Sequence, residues 1–299
     1  MNENTFMRKL LLLFLLLYSS MQVFPQREQN PYYDSLVRYE NIMKDLGDSI
    51  IDGSNEWVRM DALTDFIPLF KHALKFPGSY NYPFDSLRFM FKIIAPDNTF
   101  KIYSWVLKFD NRTFRYYGAI HFNDPVKLKL IPLFDKSNTI PYDMEEDTIL
   151  NNETWFGCLY YEMGMTKKGK KTYYILLGWD GYNSIGNKKI VEILTFDNDG
   201  KPVFGAPIIK MDKTTVLNRK VFQYNSSAVF SLKFIPGTKV IAFDNLIPPE
   251  EKNKGKLWTY IPDGSCDYFE IGKGKLNFKK DLFKHVKLPV ESLDQKTGK

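Results

Sequence analysis

One segment gathers the chemistry of this chain: Leu176-Leu177-Gly178-Trp179-Asp180-Gly181-Tyr182-Asn183, where an apolar run ends in an indole, a carboxylate, a phenol and an amide. Flat aromatic rings stack on the apolar faces of sugars, and carboxylates and amides bond to hydroxyls, so this mixture suits a polar organic ligand. The same residues also serve a plain hairpin, with the Trp capping a core and Asp-Gly making the turn. Trp179, Asp180, Tyr182 and Asn183 are therefore the ligand-binding candidates. Asp244, which closes the apolar stretch Ile241-Ala242-Phe243 ahead of Pro248-Pro249, joins them as a hydrogen-bond acceptor or, beside a second buried carboxylate, a general acid or base.

More specific chemistries fail on spacing or context. Gly164-Met165-Thr166-Lys167-Lys168-Gly169-Lys170 matches the first seven positions of a phosphate-binding loop, but Lys171 stands where Ser or Thr should hold magnesium. Strand-like sequence lies on both sides, where such a loop must open a helix, so a Lys-rich hairpin is expected. Asp197-Asn198-Asp199-Gly200 opens like a calcium loop, yet Lys201, Pro202 and Val203 follow in place of further ligands, so a hairpin turn is expected there too. His72, His121 and His285 are scattered, with no i, i+4 pair and no nearby Cys, and no metal site is expected. Gly181-Tyr182-Asn183-Ser184-Ile185-Gly186 is one residue too long before its Ser for a nucleophile elbow. No cofactor is expected.

The elements that must position these residues change character along the chain. Arg8 and Lys9 precede an apolar run, Leu10 to Leu17, then Tyr18-Ser19-Ser20: the pattern of a secretory signal peptide, assigned to residues 1–26. The run is short of the roughly 20 apolar residues a membrane span needs, so the mature chain is expected to have no transmembrane span and to be periplasmic or extracellular. In that oxidising setting Cys158 and Cys266 are a possible disulfide, though Cys158 also sits in an apolar stretch suited to a buried thiol.

Residues 27–84 read as an N-terminal helical segment. Leu36, Tyr39, Met43 and Leu46 recur at helical spacing up to Gly47; after Ser54 as cap, Trp57, Met60, Leu63, Ile67, Phe70 and Leu74 form a second stripe, in which Pro68 should kink or divide the helix. From 85 to 272 the period falls to 2. Turn pairs at Asp97-Asn98, Asp110-Asn111, Asp180-Gly181, Asp199-Gly200, Pro236-Gly237 and Asp263-Gly264 separate about a dozen strands. The fold class expected is mainly β (α+β): a large antiparallel β meander, curled or two-layered, with a short N-terminal helical segment. Tyr173 to Leu177, apolar on both sides, should be a central strand. The polar stretch 135–154, with Glu145-Glu146-Asp147, reads as a long loop or mobile insert, and 273–299 as a basic C-terminal tail.

The chain carries 299 residues, 44% hydrophobic and 16% aromatic, which is enough for a large core. Its net charge of +6, roughly +5 without residues 1–26, is too mild to point to nucleic acid. Leu176 to Gly181, Lys201-Pro202-Val203-Phe204-Gly205-Ala206-Pro207-Ile208, Ser227 to Leu232 and Ile241 to Asp244 together give a texture, over roughly 85–270, that resembles a group of uncharacterised exported proteins of Bacteroidetes-type bacteria. The resemblance implies a periplasmic or surface location and brings no catalytic residues. The expectation is an exported, non-catalytic binding or envelope-accessory protein, its partner a glycan or another envelope component. The alternative is a glycan-acting hydrolase using loop carboxylates.

Overall fold

The computed structural model describes residues 31–286; residues 1–30, with the expected signal peptide, and residues 287–299 lie outside them. Two helices come first, α1 (Tyr33–Asp52) and α2 (Glu56–Ala73), folded back on each other so that Tyr39 stacks on His72. The Asn55 side chain, one residue past the expected cap, accepts the Val58 amide and starts α2. Gly47 does not end α1. It lies inside the helix under the Phe89 ring, where a Cβ would stand 2.4 Å from a ring carbon. Pro68 does not divide α2 either: Pro68 and Thr64, whose carbonyl loses its helical donor, both face solvent, so the lost bond leaves no buried polar group.

The apolar stripe of α2 is split. Leu63, Phe66 and Phe70 are buried against Tyr103 and Trp105, whereas Trp57, Met60 and Ile67 are exposed. Burial instead extends to Ala62, Ala73 and Arg59, whose guanidinium donates to the carbonyls of Gly53 and Lys108 and pairs with Asp110 at 2.5 Å.

The strands make three sheets. The first is a four-stranded antiparallel meander, β1 (Phe91–Ile94), β2 (Phe100–Lys108), β3 (Phe114–Phe122) and β4 (Leu130–Phe134). The second contains β5 (Leu150–Asn151), β6 (Leu159–Lys168), β7 (Lys171–Asp180), β8 (Gly186–Phe196) and β9 (Pro202–Phe204), in the order β5-β9-β8-β7-β6; β12 (Lys220–Asn225) pairs with the other half of β8. The third contains β10 (Ile209–Lys210), β11 (Val216–Leu217), β13 (Leu232–Phe234), β14 (Val240–Ile247), β15 (Ile261–Gly272) and β16 (Lys275–Lys279), in the order β11-β10-β16-β15-β14-β13. β10 and β16 run parallel and the other named pairs antiparallel. The fold is thus mainly β, in three layers of sheet.

Alternation along the strands stacks these layers. On β2, Phe100 and Ile102 enter the core shared with the second sheet, while Tyr103, Trp105 and Leu107 turn to the helices. On β7, Tyr174 and Leu176 meet the first sheet, while Tyr173, Ile175 and Leu177 meet the third. Wrapped on both faces, β7 is an interior strand as its composition predicts, although β8 stands in the middle of the sheet and β7 next to its edge strand β6.

Two stretches differ from the sequence reading. Asp263-Gly264 is a bulge inside β15 rather than a turn between strands, since Leu246 pairs with Pro262 and Asp244 with Cys266. Residues 275–279, read as tail, are β16, hydrogen-bonded between β15 and β10, because Leu276 on its inner face fills the second core.

Candidate functional site

The inward positions of β7 and β8 change chemistry toward one end of the second sheet. Tyr174, Leu176, Ile190 and Leu194 are core; further along, in the same alternation, come Asp180 on β7 and Lys188 on β8, directly opposite each other in register. From the first sheet Tyr116 of β3 points into the same space. At this end lies a cleft of about 1050 Å³, lined by the ends of β3, β4, β7 and β8 and by the segment after β4. Aromatic rings (Phe114, Tyr116, Phe134, Tyr142, Tyr182) alternate there with charged and amide groups (Arg115, Asp135, Asn138, Glu145, Lys188).

Asp180 is almost wholly buried at 4% exposure. Its Oδ1 accepts both the Tyr116 hydroxyl at 3.0 Å and the Tyr182 amide at 2.7 Å, and the Tyr116 oxygen accepts the Gly181 amide at 2.7 Å. Among the described residues no donor is bonded to Oδ2. Burial pushes the Asp180 carboxyl up to about 6 against the opposing pull of the Tyr182 amide, the Lys188 charge and the Tyr116 hydroxyl. Burial likewise holds the Tyr116 phenol well above its ordinary range, with the Asp180 charge adding to it.

Lys188 does not bond to its cross-strand neighbour. Its ammonium reaches Glu145 at 2.5 Å and lies 3.9 Å from the centroid of the Tyr182 ring, a cation–π contact in a desolvated place. Glu145 is raised from its ordinary value by burial, with Lys188 pulling it back. Behind this pair is a second one. Arg219 and Glu192, neither with any exposed side chain, meet at 2.7 Å, and burial raises the Glu192 carboxyl. Arg219 Nη1 also donates to the carbonyls of Glu145 (2.6 Å) and Thr148 (2.9 Å), so the core arginine holds the backbone that presents Glu145. Arg219 Nη2 has no partner among the described residues.

Of the stretch 135–154, read from sequence as a loop or mobile insert, residues 135–149, ahead of β5, are therefore a strap pinned across the cleft. Asp135 begins it, accepting the Tyr116 amide with one oxygen and the Ser137 amide and hydroxyl with the other. Glu146 ends it on β12, taking Lys220 Nζ and the Val221 amide. Glu145 and Glu146 bind the buried Lys188 and the half-buried Lys220 in place of water, whereas Asp143 and Asp147 are exposed.

Of the five ligand-binding candidates, Asp180 and Tyr182 line the cleft, and the other three lie elsewhere. Trp179 packs edge-on to Phe114, and the side-chain oxygen of Asn183 accepts the Ile185 and Gly186 amides to close the β7–β8 loop. Asp244 belongs to the third sheet, where it accepts the Ser231 amide at 2.7 Å and the Cys266 thiol at 3.4 Å. Asp180-Gly181 is not a turn: β7 continues through Asp180, and the loop is 181–185, with φ +44° at Tyr182. Cys158 and Cys266 are not bridged. Cys158 is sealed in the core between the first two sheets, and Cys266 packs at a different cluster, on the third.

Glu145, Lys188, Tyr116 and Arg219 gave little sign of themselves in the sequence. Lys188-Lys189 looks like the solvated start of a strand, and Glu145-Glu146-Asp147 like a solvated loop. The signal that finds them is the pairing register, which sets Lys188 opposite Asp180 on the inward face. Among the described residues no three His, Cys, Asp or Glu side chains are grouped so as to hold a metal ion, and no helix is long and apolar enough to cross a membrane. Comparison with known proteins finds no matching family model, curated protein or solved structure.

Proposed function

We propose that this is an exported, non-catalytic binding or envelope-accessory protein whose cleft takes a hydroxyl-rich ligand of the glycan type. The observation that carries the reading is the cleft floor. Asp180 presents a carboxyl there with one oxygen uncommitted, next to the Tyr182 and Tyr142 rings and the Lys188–Glu145 pair. Rings offer stacking faces, and the mixture of donors and acceptors answers a ligand that is itself both. The leader pattern of residues 8–26 supports export, and the resemblance over 85–270 supports an envelope setting. The commitment of Asp180 Oδ1 and Glu145 to internal partners favours binding over turnover.

Calorimetric titration with a panel of soluble oligosaccharides tests this. Binding is expected for at least one, weakened tenfold or more by Asp180→Ala and unchanged by Asp244→Asn. Failure of every glycan, or loss of binding through Asp244 alone, would refute it. A second reading, hydrolysis of a glycan, draws on one observation: a buried carboxyl raised to about 6 holds a proton to donate in mildly acidic solution, and Glu145 lines the same cleft. Glycoside turnover abolished by Asp180→Asn, with binding retained, would establish that reading instead.

A further inference from the structure

The end of the molecule remote from the cleft carries a different surface. β7 runs ten residues from Lys171 to Asp180, roughly 30 Å of strand, so its first residue lies far from the site. At that far end the β6–β7 turn exposes Lys167, Lys168, Lys170 and Lys171 around Gly169, and the β15–β16 turn exposes Lys273 and Lys275. The two turns are a hundred residues apart in sequence but locked together. Thr166 Oγ1 donates to the Gly272 carbonyl at 2.5 Å and accepts the Gly274 amide at 3.0 Å. Gly274, at φ +62°, fits so closely that a Cβ there would stand 2.5 Å from the Cβ of Lys168.

Bringing six ammonium groups onto adjoining tips costs like-charge repulsion, and among the described residues none of the six is in an ion pair. The acids on neighbouring elements include Glu270 on β15, Asp197 and Asp199 on the β8–β9 turn, Asp97, which accepts the Tyr174 hydroxyl, and Glu162 on β6, which accepts the Phe234 amide. Asp197 is occupied by the amides of Asp199 and Lys201, and Lys201 stands beside it as a further cation.

We propose that these joined tips are a docking face for an anionic lipid surface, which would hold the cleft turned outward. Three features favour lipid over a bound polymer or a single phosphate. The cations are all Lys, mobile point charges suited to diffuse headgroups, with none of the planar forks that clasp one phosphate. The β6–β7 tip projects into open space: nothing lies within 4 Å of the Cβ position at Gly169, so its lysines are free to meet a flat surface. They come from two different sheets, which spreads the charge over an area. The inference does not depend on the ligand of the cleft.

Vesicle co-sedimentation of the full chain tests it, comparing neutral phosphatidylcholine vesicles with vesicles containing anionic phosphatidylglycerol. The readout is the difference between the two, so any apolar attachment through residues 10–17 cancels. Preferential binding to the anionic vesicles is expected, lost in high salt. Replacing Lys167, Lys168 and Lys170 with Gln should weaken it on the order of 100-fold. The same change at Lys252, Lys254 and Lys256, an equal loss of charge elsewhere, should leave most of it. Equal binding to both vesicle types, equal effects of the two triple variants, or binding to a soluble acidic polysaccharide with none to vesicles would overturn the proposal.

Discussion

Asp180 combines two conditions that rarely coincide: it is nearly sealed from water, yet it borders an open cleft. Its carboxyl, raised to about 6 in the folded chain, titrates near 3.8 when exposed. The folded state therefore holds the proton more tightly than the unfolded one. The stability this contributes is complete below the unfolded value and is lost as pH rises through about 6. Asp180→Asn keeps an oxygen to accept from Tyr116 and Tyr182 and removes the buried charge. At pH 7.5 it should be more stable than the parent by up to about 3 kcal/mol, and the gap should close toward pH 4. Denaturant melts across that range measure this; a gap that is constant or widens in acid would contradict the assignment. The same residue shows how far single positions speak for themselves. The Asp180 and Tyr182 cluster was legible because its residue types are unusual at the end of an apolar strand. Lys188 was not, because a Lys beside a Lys looks solvated until its strand partner is known.

The strap over 135–149 behaves as an element even though it contains little regular structure. Two short helical turns would not hold it; the Lys188–Glu145 pair, the Arg219 clamp and Glu146 on β12 do. Lys188→Met should cost about 3 kcal/mol or more, since Glu145 is then left buried without its counter-charge. Adding Glu145→Leu should restore most of that loss. A double-mutant cycle by chemical denaturation measures the coupling, and two independent, additive losses would mean that the strap is held by other contacts. The helices show the complementary case. Their existence is plain from spacing, but which side of α2 is buried depends on where Phe66 and Phe70 meet Trp105, and that leaves Trp57 in water. Gly47, a natural stop signal by composition, is a point of close approach to Phe89.

On the scale of the whole molecule, β7 joins two cores. Ile175 and Leu176 are adjacent and both fully buried, one against the third sheet and one against the first. Truncating either to Ala should cost about 2 to 5 kcal/mol. If the layers fold as one unit, each change should shift a single transition in calorimetry, whereas a split into two transitions after Ile175→Ala alone would mean that the third sheet melts separately. By itself the amino-acid order determined the alternation and its punctuation: the helical start, the β-rich remainder, the burial of β7 on both faces, and turns such as Asp97-Asn98 and Asp199-Gly200, because these depend on neighbours within a few residues. Only the tertiary structure decided that the sheets are three, that Asp244 stands apart from Asp180, that Cys158 and Cys266 occupy different cores, and that Lys188, Glu145 and Tyr116 share one cleft. Those outcomes rest on register and on layer stacking. One step along a strand moves a side chain to the opposite face, and no local pattern records which distant strand will lie against it.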